Sequence, residues 1–499
     1  MPIYDKNPPY PHYDHLPYAK EPWKSYYVWQ RLFTTLLMCP IWATYYLIIP
    51  RRYRPRASWN IRQIINVNFT RRIYKVTEVA GVTWGTRDPT TAPPENSLKE
   101  TRFEWVDPLP ENLRTGIVND GVPFTKVGCY VWPKEVPGLV NRAKTDVKVD
   151  SDTKNLMNGT SLDLEAEAPD VPLVGIFMHG GGYCHMSAHE NSGTSNIPRG
   201  LIKNKILHEV YSVEYRLLQV APFPAVIQDA AAVYAHVVNN YNVRHKKCKI
   251  ILIGDSSGGN LVLALSRWLR DEGNLPLPHG LLLLSPSCDT SHALPETLSS
   301  YIPRPNEHSD YLVDTPEPRA LLQRTFLGFK YHNGPATPEE EKRLMVIAHS
   351  EYVSPCSPVC LKRWGHEVKQ DPNEQHEQAF RRSLLRRLNT SMSKARLPET
   401  LDPRKEMDVE SPYHRTCKFP KLFGEFPRTL VVCGDAERLV REVRSLITAM
   451  QEDGVDVTAE WAQDACHDVL MMSEFWWDKK VLRKTWMAIK EWAEGFERD

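Results

Sequence analysis

The sequence predicts an α/β fold: a mostly parallel central sheet with helices on both faces. Three observations carry that expectation. Short strand candidates, most of them apolar runs, recur from residue 171 onward, at 171–178, 206–215, 249–253, 281–284, 429–433 and 455–461. Unbroken runs of this length fit strands buried on both faces better than half-exposed ones. Segments with helical spacing, at 225–241, 260–269 and 473–496, lie between or after them, as crossover connections require. Two of the runs end in glycine-rich strings, His179-Gly180-Gly181-Gly182 and Gly254-Asp255-Ser256-Ser257-Gly258. Tight turns at the ends of strands call for such strings.

Composition narrows the class. The 499 residues are 41% hydrophobic and 25% charged, with a net charge of +1. That is an ordinary globular balance, with no basic excess for a nucleic-acid partner. The 40 prolines are scattered, which implies long ordered loops rather than one linker. Ten cysteines form no C-x-x-C pair. Cys356 and Cys360 have His366 nearby, but no second half of a zinc motif follows. Cys129 and Cys433 lie in apolar runs and read as small buried hydrophobes. No metal and no organic cofactor is expected.

Along the chain, residues 1–31 read as a polar tail. Residues 32–50 are 19 positions without a charge, preceded by Arg31 and followed by Arg51, Arg52, Arg54 and Arg56. As a helix the run would reach roughly 28 Å, against a bilayer core of about 30 Å. It is expected to be an N-terminal membrane helix. A monotopic anchor and a helix buried on the catalytic body are the alternatives, since Trp42, Tyr45 and Tyr46 suit an interface. The arginines favour a cytoplasmic body, whereas three N-x-S/T triplets, at Asn68, Asn158 and Asn389, would favour a lumenal one. Residues 51–170 are expected to hold cap helices and first strands. Within them, 58–78 reads as an amphipathic helix, 85–115 as loop, 124–132 as a strand and 143–170 as a polar insertion. Residues 171–499 form the expected catalytic domain, interrupted by a charged insertion at about 362–410.

The glycine strings point to acyl-transfer chemistry. A serine hydroxyl needs a base within hydrogen-bond reach, and that base needs a third group to orient it. G-x-S-x-G places a serine, here Ser256, on a sharp strand-to-helix turn. Downstream, the run 429–433 ends at Gly434-Asp435-Ala436-Glu437-Arg438-Leu439, and the run 455–461 is followed by Ala465-Cys466-His467-Asp468. His467 follows this acid loop and is the candidate base. Both carboxylates of the loop, Glu437 and Asp435, could accept the imidazole N–H. The backbone N–H groups of Gly180, Gly181, Gly182 and Ser257 are candidates for an oxyanion hole. His179 reads as a brace for the glycine loop rather than a base, and Asp255 as a stabiliser of the elbow. His185 and His189 lie near the pocket mouth.

On these residues the chain resembles the hormone-sensitive-lipase group of α/β-hydrolases, over about 171–468. HGGGY and GDSSGG are similar to the group's hallmark strings, and Tyr215-Arg216-Leu217 with Pro222-Phe223-Pro224-Ala225 and Asp229 is similar to a further stretch of it. HGGGYCHMSAHENSGTSNIPRGL resembles fungal members of the steryl acetyl hydrolase type, which also carry an N-terminal membrane segment. The resemblance implies an α/β-hydrolase fold with a helical cap, and a Ser256, Glu437, His467 triad in which Glu437 stands where the group usually has Asp. It implies hydrolysis of a small lipophilic ester, with acetylated sterols among the candidates, at a membrane such as the endoplasmic reticulum. An acyltransferase or amidase on the same triad, or a non-catalytic ligand-binding protein of the same fold, are the rival readings.

Overall fold

The computed structural model describes residues 18–81, 87–119, 121–135, 172–244, 248–294, 303–315, 322–328, 338–367 and 419–498. The polar insertion expected at 143–170, and nearly all of the charged one at 362–410, lie outside the described residues.

Eight strands form one sheet: β1 (Arg102–Val106), β2 (Val127–Trp132), β3 (Leu173–Met178), β4 (Glu209–Glu214), β5 (Lys249–Asp255), β6 (Gly280–Leu284), β7 (Arg428–Gly434) and β8 (Val457–Ala462). Their spatial order is β1-β2-β4-β3-β5-β6-β7-β8. From β4 to β8 every pairing is parallel. β1 and β2 add an antiparallel margin. The helices are α1 (Trp23–Ile48), α2 (Ile61–Ala80), α3 (Asn196–Lys203), α4 (Ala225–Arg244), α5 (Ser257–Glu272), α6 (Pro338–Ala348), α7 (Pro358–Arg363), α8 (Val440–Glu452) and α9 (Lys479–Arg498).

The two faces of the sheet explain the unbroken apolar runs. On one face Val174, Ile176, Leu252, Leu281, Leu283 and Val431 pack against α4, α5 and α8. On the other face Phe177, Ile251, Ile253, Leu282, Leu430 and Val432 pack against α3 and α9. In β3, β5, β6 and β7, odd and even positions serve different cores, so these strands read as near-continuous apolar runs. The segment Tyr215–Asp229 forms a buried clamp. Arg216 donates from both its guanidinium and its backbone N–H to Asp229, with distances of 2.8–3.1 Å.

Two expectations need correction. The stretch 85–115 is not all loop, because β1 lies within it. β1 is an edge strand with only Val106 buried, so its side chains carry little apolar pattern, and its pairing with β2 supplies the order. The second correction concerns the N-terminal membrane helix. No helix among the described residues is long and apolar enough to cross a membrane. α1 begins at Trp23, ahead of the uncharged run, so it takes in Lys24, Ser25, Gln30 and Arg31, and two Thr residues follow in the next turn. Two of its polar side chains meet α2: Arg31 Nε donates to the Arg72 carbonyl at 3.1 Å, and Thr35 Oγ1 accepts from Arg72 Nε at 3.2 Å. Thr35 is the buried residue of α1.

α2 begins at an Asn60–Gln63 capping box. It is fastened to the catalytic body by Trp59, whose indole donates to the Asp464 carbonyl at 2.7 Å, and by Arg71, which donates to the Asp310 carbonyl at 2.7 Å. These contacts place Tyr74, Thr77 and Glu78 over the carboxyl ends of the central strands.

Candidate active site

In an open parallel sheet the strand ends at the carboxyl side form the natural crevice. Here His179 directly follows β3, Ser256 follows β5, Asp435 follows β7, and His467 comes shortly after β8. Ser256 sits between β5 and α5 with φ 53° and ψ −118°, a left-handed conformation that a non-glycine residue holds only under strain. Its N–H donates to the Leu284 carbonyl at 2.9 Å. The turn is possible because Gly258 lacks a side chain: a Cβ there would lie 1.9 Å from the Met178 carbonyl oxygen.

The glycine loop after β3 is tied to this elbow. Gly180 N–H donates to Asp255 Oδ1, and Gly182 N–H to Ser257 Oγ, both at 2.9 Å. The N–H groups of Gly181 and Ser257 have no such acceptor among the described residues, and both residues line the cleft. Of the four candidate N–H groups, those of Gly180 and Gly182 are spent on holding the loop. Gly181, at φ 109°, is close enough to the His185 carbonyl that a Cβ would come within 2.4 Å. His179 stacks on Tyr215 with centroids 4.3 Å apart, and its Nδ1 bonds the Gly180 carbonyl at 2.7 Å. Burial lowers its pKa to about 4, which fits a neutral brace. His185 Nε2 meets Thr77 Oγ1 at 2.7 Å and so joins α2 to the glycine loop. His189 packs edge-on to Tyr130.

The acid and histidine loops come together on the far side of the serine. His467 Nε2 lies 2.9 Å from Ser256 Oγ. Glu437 Oε2 lies 3.6 Å from His467 Nδ1. Glu437 is fully buried; Ser285 Oγ donates to its Oε2 at 2.7 Å and the Cys433 thiol to its Oε1 at 2.9 Å. Asp435 points elsewhere, its Oδ1 accepting the Asp464 N–H at 2.7 Å. Of the two carboxylates in the loop, Glu437 is the one beside the imidazole.

Sequence reasoning assigned no role to three groups here. Asp310 joins the two loops, its Oδ2 accepting the Arg438 N–H at 2.7 Å and its Oδ1 the His467 N–H at 3.2 Å. Burial pushes its pKa up to about 6. No local pattern marks it, since it lies in the stretch where strand and helix alternation lapses. Asp468 is in plain view beside His467, with its Oδ2 2.9 Å from His467 Nε2. Tyr74 reaches the site from α2. Burial lowers the pKa of an imidazole, but the charge and hydrogen bond of Asp468, then those of Glu437, outweigh it and raise His467 well above its ordinary value.

A cleft of about 180 Å³ opens on Ser256. Tyr74, Leu312, Val313, Leu439 and Met471 supply apolar wall, with Gly181, Ser257 and His467 grouped at its reacting end.

Residues 175–334 match the family model described as alpha/beta hydrolase fold. Over those residues the chain is similar to the α/β-hydrolases. HGGG and GDSSG both fall within the matched residues. Among curated proteins, it is 27% identical to a versiconal hemiacetal acetate esterase of Aspergillus parasiticus, over 32% of this chain and 46% of the other. It is also 27% identical to an acetyl-hydrolase of Streptomyces hygroscopicus, over 41% of this chain and 60% of the other. The chain spans about half the length of the curated relatives it matches. A solved hormone-sensitive lipase from a metagenome library shares 17% identity at a TM-score of 0.43, covering 74% of this chain and 82% of that one.

Proposed function

We propose that this chain is a serine carboxylic-ester hydrolase that removes a small acyl group, such as acetyl, from a lipophilic alcohol. The observation that carries the reading is Ser256 Oγ at 2.9 Å from His467 Nε2, on a strained elbow beside two uncommitted N–H groups. Ser256 attacks the ester carbonyl and its proton passes to His467 Nε2. The oxyanion forms against the N–H groups of Gly181 and Ser257. His467 returns the proton to the leaving alcohol, and water repeats the sequence on the acyl-enzyme. Glu437 orients the imidazole through Nδ1, closing its 3.6 Å gap as positive charge develops on the ring. The acyl preference rests on the two curated relatives named for acetate or acetyl hydrolysis. The apolar cleft walls support a lipophilic alcohol.

A fluorophosphonate probe is expected to label the wild-type chain and not Ser256→Ala, in step with turnover of p-nitrophenyl acetate. Labelling that survives in Ser256→Ala would end the assignment.

We further propose that α1 seats the protein on a membrane surface, lying in the plane rather than crossing it. Trp29, Phe33, Leu37, Ile41, Leu47 and Ile48 are all more than half exposed on this helix, and Arg51 and Arg52 follow at its end. Flotation with anionic phospholipid vesicles tests this. The wild type is expected to float, and a double Leu37→Glu, Ile41→Glu variant to stay at the bottom while still turning over p-nitrophenyl acetate.

A further inference from the structure

His467 Nε2 has two neighbours at 2.9 Å: Ser256 Oγ and Asp468 Oδ2. A ring nitrogen carries either one hydrogen or one lone pair. A lone pair on Nε2 would face a carboxylate oxygen across 2.9 Å in a fully buried site, an arrangement that low dielectric makes costly. One proton between Nε2 and Oδ2 removes that conflict, whichever atom formally owns it. The opposite nitrogen, Nδ1, has Glu437 at 3.6 Å and no hydrogen-bond partner within reach. The tighter of the two carboxylate contacts is therefore on the nitrogen that has to receive the serine proton.

Asp468 is held in that place. It adopts a left-handed backbone, φ 47°, its N–H donates to Ser285 Oγ at 3.2 Å, and its carbonyl accepts from Met471 N–H at 2.9 Å. Its Oδ1 is buried with no hydrogen-bond partner among the described residues, so Oδ2 is the oxygen that does the pairing. The groups facing His467 are Asp468 and Ser256 at Nε2, Glu437 at Nδ1, Asp310 on its backbone N–H, Tyr311 against the ring, and Asp255 at longer range. No cationic side chain is among them.

We propose that Asp468 is a positioning residue of the base, whose carboxylate keeps a proton on His467 Nε2 in the free protein, so that Ser256 is activated only after that proton has left. The inference rests on the Ser256–His467 reading above. The proton goes to solvent water or hydroxide and leaves a lone pair on Nε2. Ser256 Oγ–H then gives its proton to Nε2 as Oγ bonds to the carbonyl carbon and the carbonyl π pair moves onto oxygen. Asp468 stabilises the imidazolium so formed.

The test is the pH dependence of p-nitrophenyl acetate turnover and of fluorophosphonate labelling between pH 5 and 10. For the wild type, the acid limb is expected to turn above the ordinary histidine value of about 6.5. In Asp468→Asn, which keeps size and removes charge, the limb is expected to move down by about one unit or more. In Asp468→Glu it is expected to stay on the alkaline side. A wild-type limb at or below 6.5, or a limb unmoved in Asp468→Asn, overturns the proposal, and the wild-type limb decides alone if the variants fail to fold. The His467 ring titration, read by NMR on Ser256→Ala with ¹³Cε1-labelled histidine and assigned against a His467→Asn partner, needs no turnover. A ring that loses its proton at or below 6.5 overturns the role of Asp468 even if labelling shows the serine reading itself to be wrong.

Discussion

The site is built in two halves, and they are held together by different means. The half at the ends of β3 and β5 is made of backbone. Ser256 sits on a strained turn, the glycine loop is pinned to Asp255 and Ser257, and Gly258 allows two chain segments to touch. The half at the ends of β7 and β8 is made of buried charge. Glu437, Asp310 and Asp468 surround His467, and their contacts with it range from 2.9 Å to 3.6 Å. In the proposed mechanism, backbone geometry sets where the oxyanion forms, whatever the pH, and the ring of carboxylates sets when the base is free, which depends on pH. The contrast separates placement of the nucleophile from timing of its activation.

The most severe way to test the charged half is to remove its centre. His467→Ala is expected to lower kcat/KM for p-nitrophenyl acetate by about 10⁴ or more, with the melting temperature measured alongside to separate chemistry from folding. Next comes the choice between carboxylates. Glu437→Gln is expected to cost about 10²–10⁴ in kcat, since the imidazole loses the charge that orients it. Asp435→Asn is expected to cost less than about tenfold, because Asp435 caps the Asp464 turn rather than facing the imidazole. The reverse order would reassign the acid. On the backbone half, Gly181→Ala brings a Cβ against the His185 carbonyl and moves the N–H of residue 181. A loss of about 10² in kcat is expected, the scale of one oxyanion donor, with little change in KM.

The two halves also differ in how far they could be read beforehand. HGGG and GDSSG are contiguous strings, because a tight turn and a loop that passes close to it impose glycine at fixed neighbouring positions. The burial of β3, β5, β6 and β7 on both faces likewise writes itself into each run. The charged half is assembled across distance. Asp310 reaches His467 from 157 positions away in the chain, through a loop without periodic pattern. Ser285 reaches Glu437 from 152 positions away. The resemblance favoured Glu437 over Asp435, and the directions of the two side chains, which composition does not carry, put Glu437 beside the imidazole. α1 was legible as a helix but not as to what it meets. An uncharged run says that water is unwelcome, and only the packing of Arg31, Thr35 and Arg72 shows that one side is already occupied by α2.

The smallest expected effect is the one that bears most directly on the idea of a backbone-built half. Ser257 follows the nucleophile and has two polar groups, an N–H facing the cleft and an Oγ that accepts the Gly182 N–H at 2.9 Å. If placement is a property of the backbone, Ser257→Ala leaves the first group where it is, because the start of α5 and the elbow's own hydrogen bonds hold it. The substitution removes one loop tie, worth about 1 kcal/mol as a net hydrogen bond, and frees the Gly182 N–H to turn toward the oxyanion as a third donor. These two consequences oppose each other, so kcat/KM is expected to change by less than about tenfold, with a small drop in melting temperature. A loss approaching that of Gly181→Ala would mean that the hydroxyl itself shapes the hole. The boundary between the two halves would then have to be redrawn through Ser257.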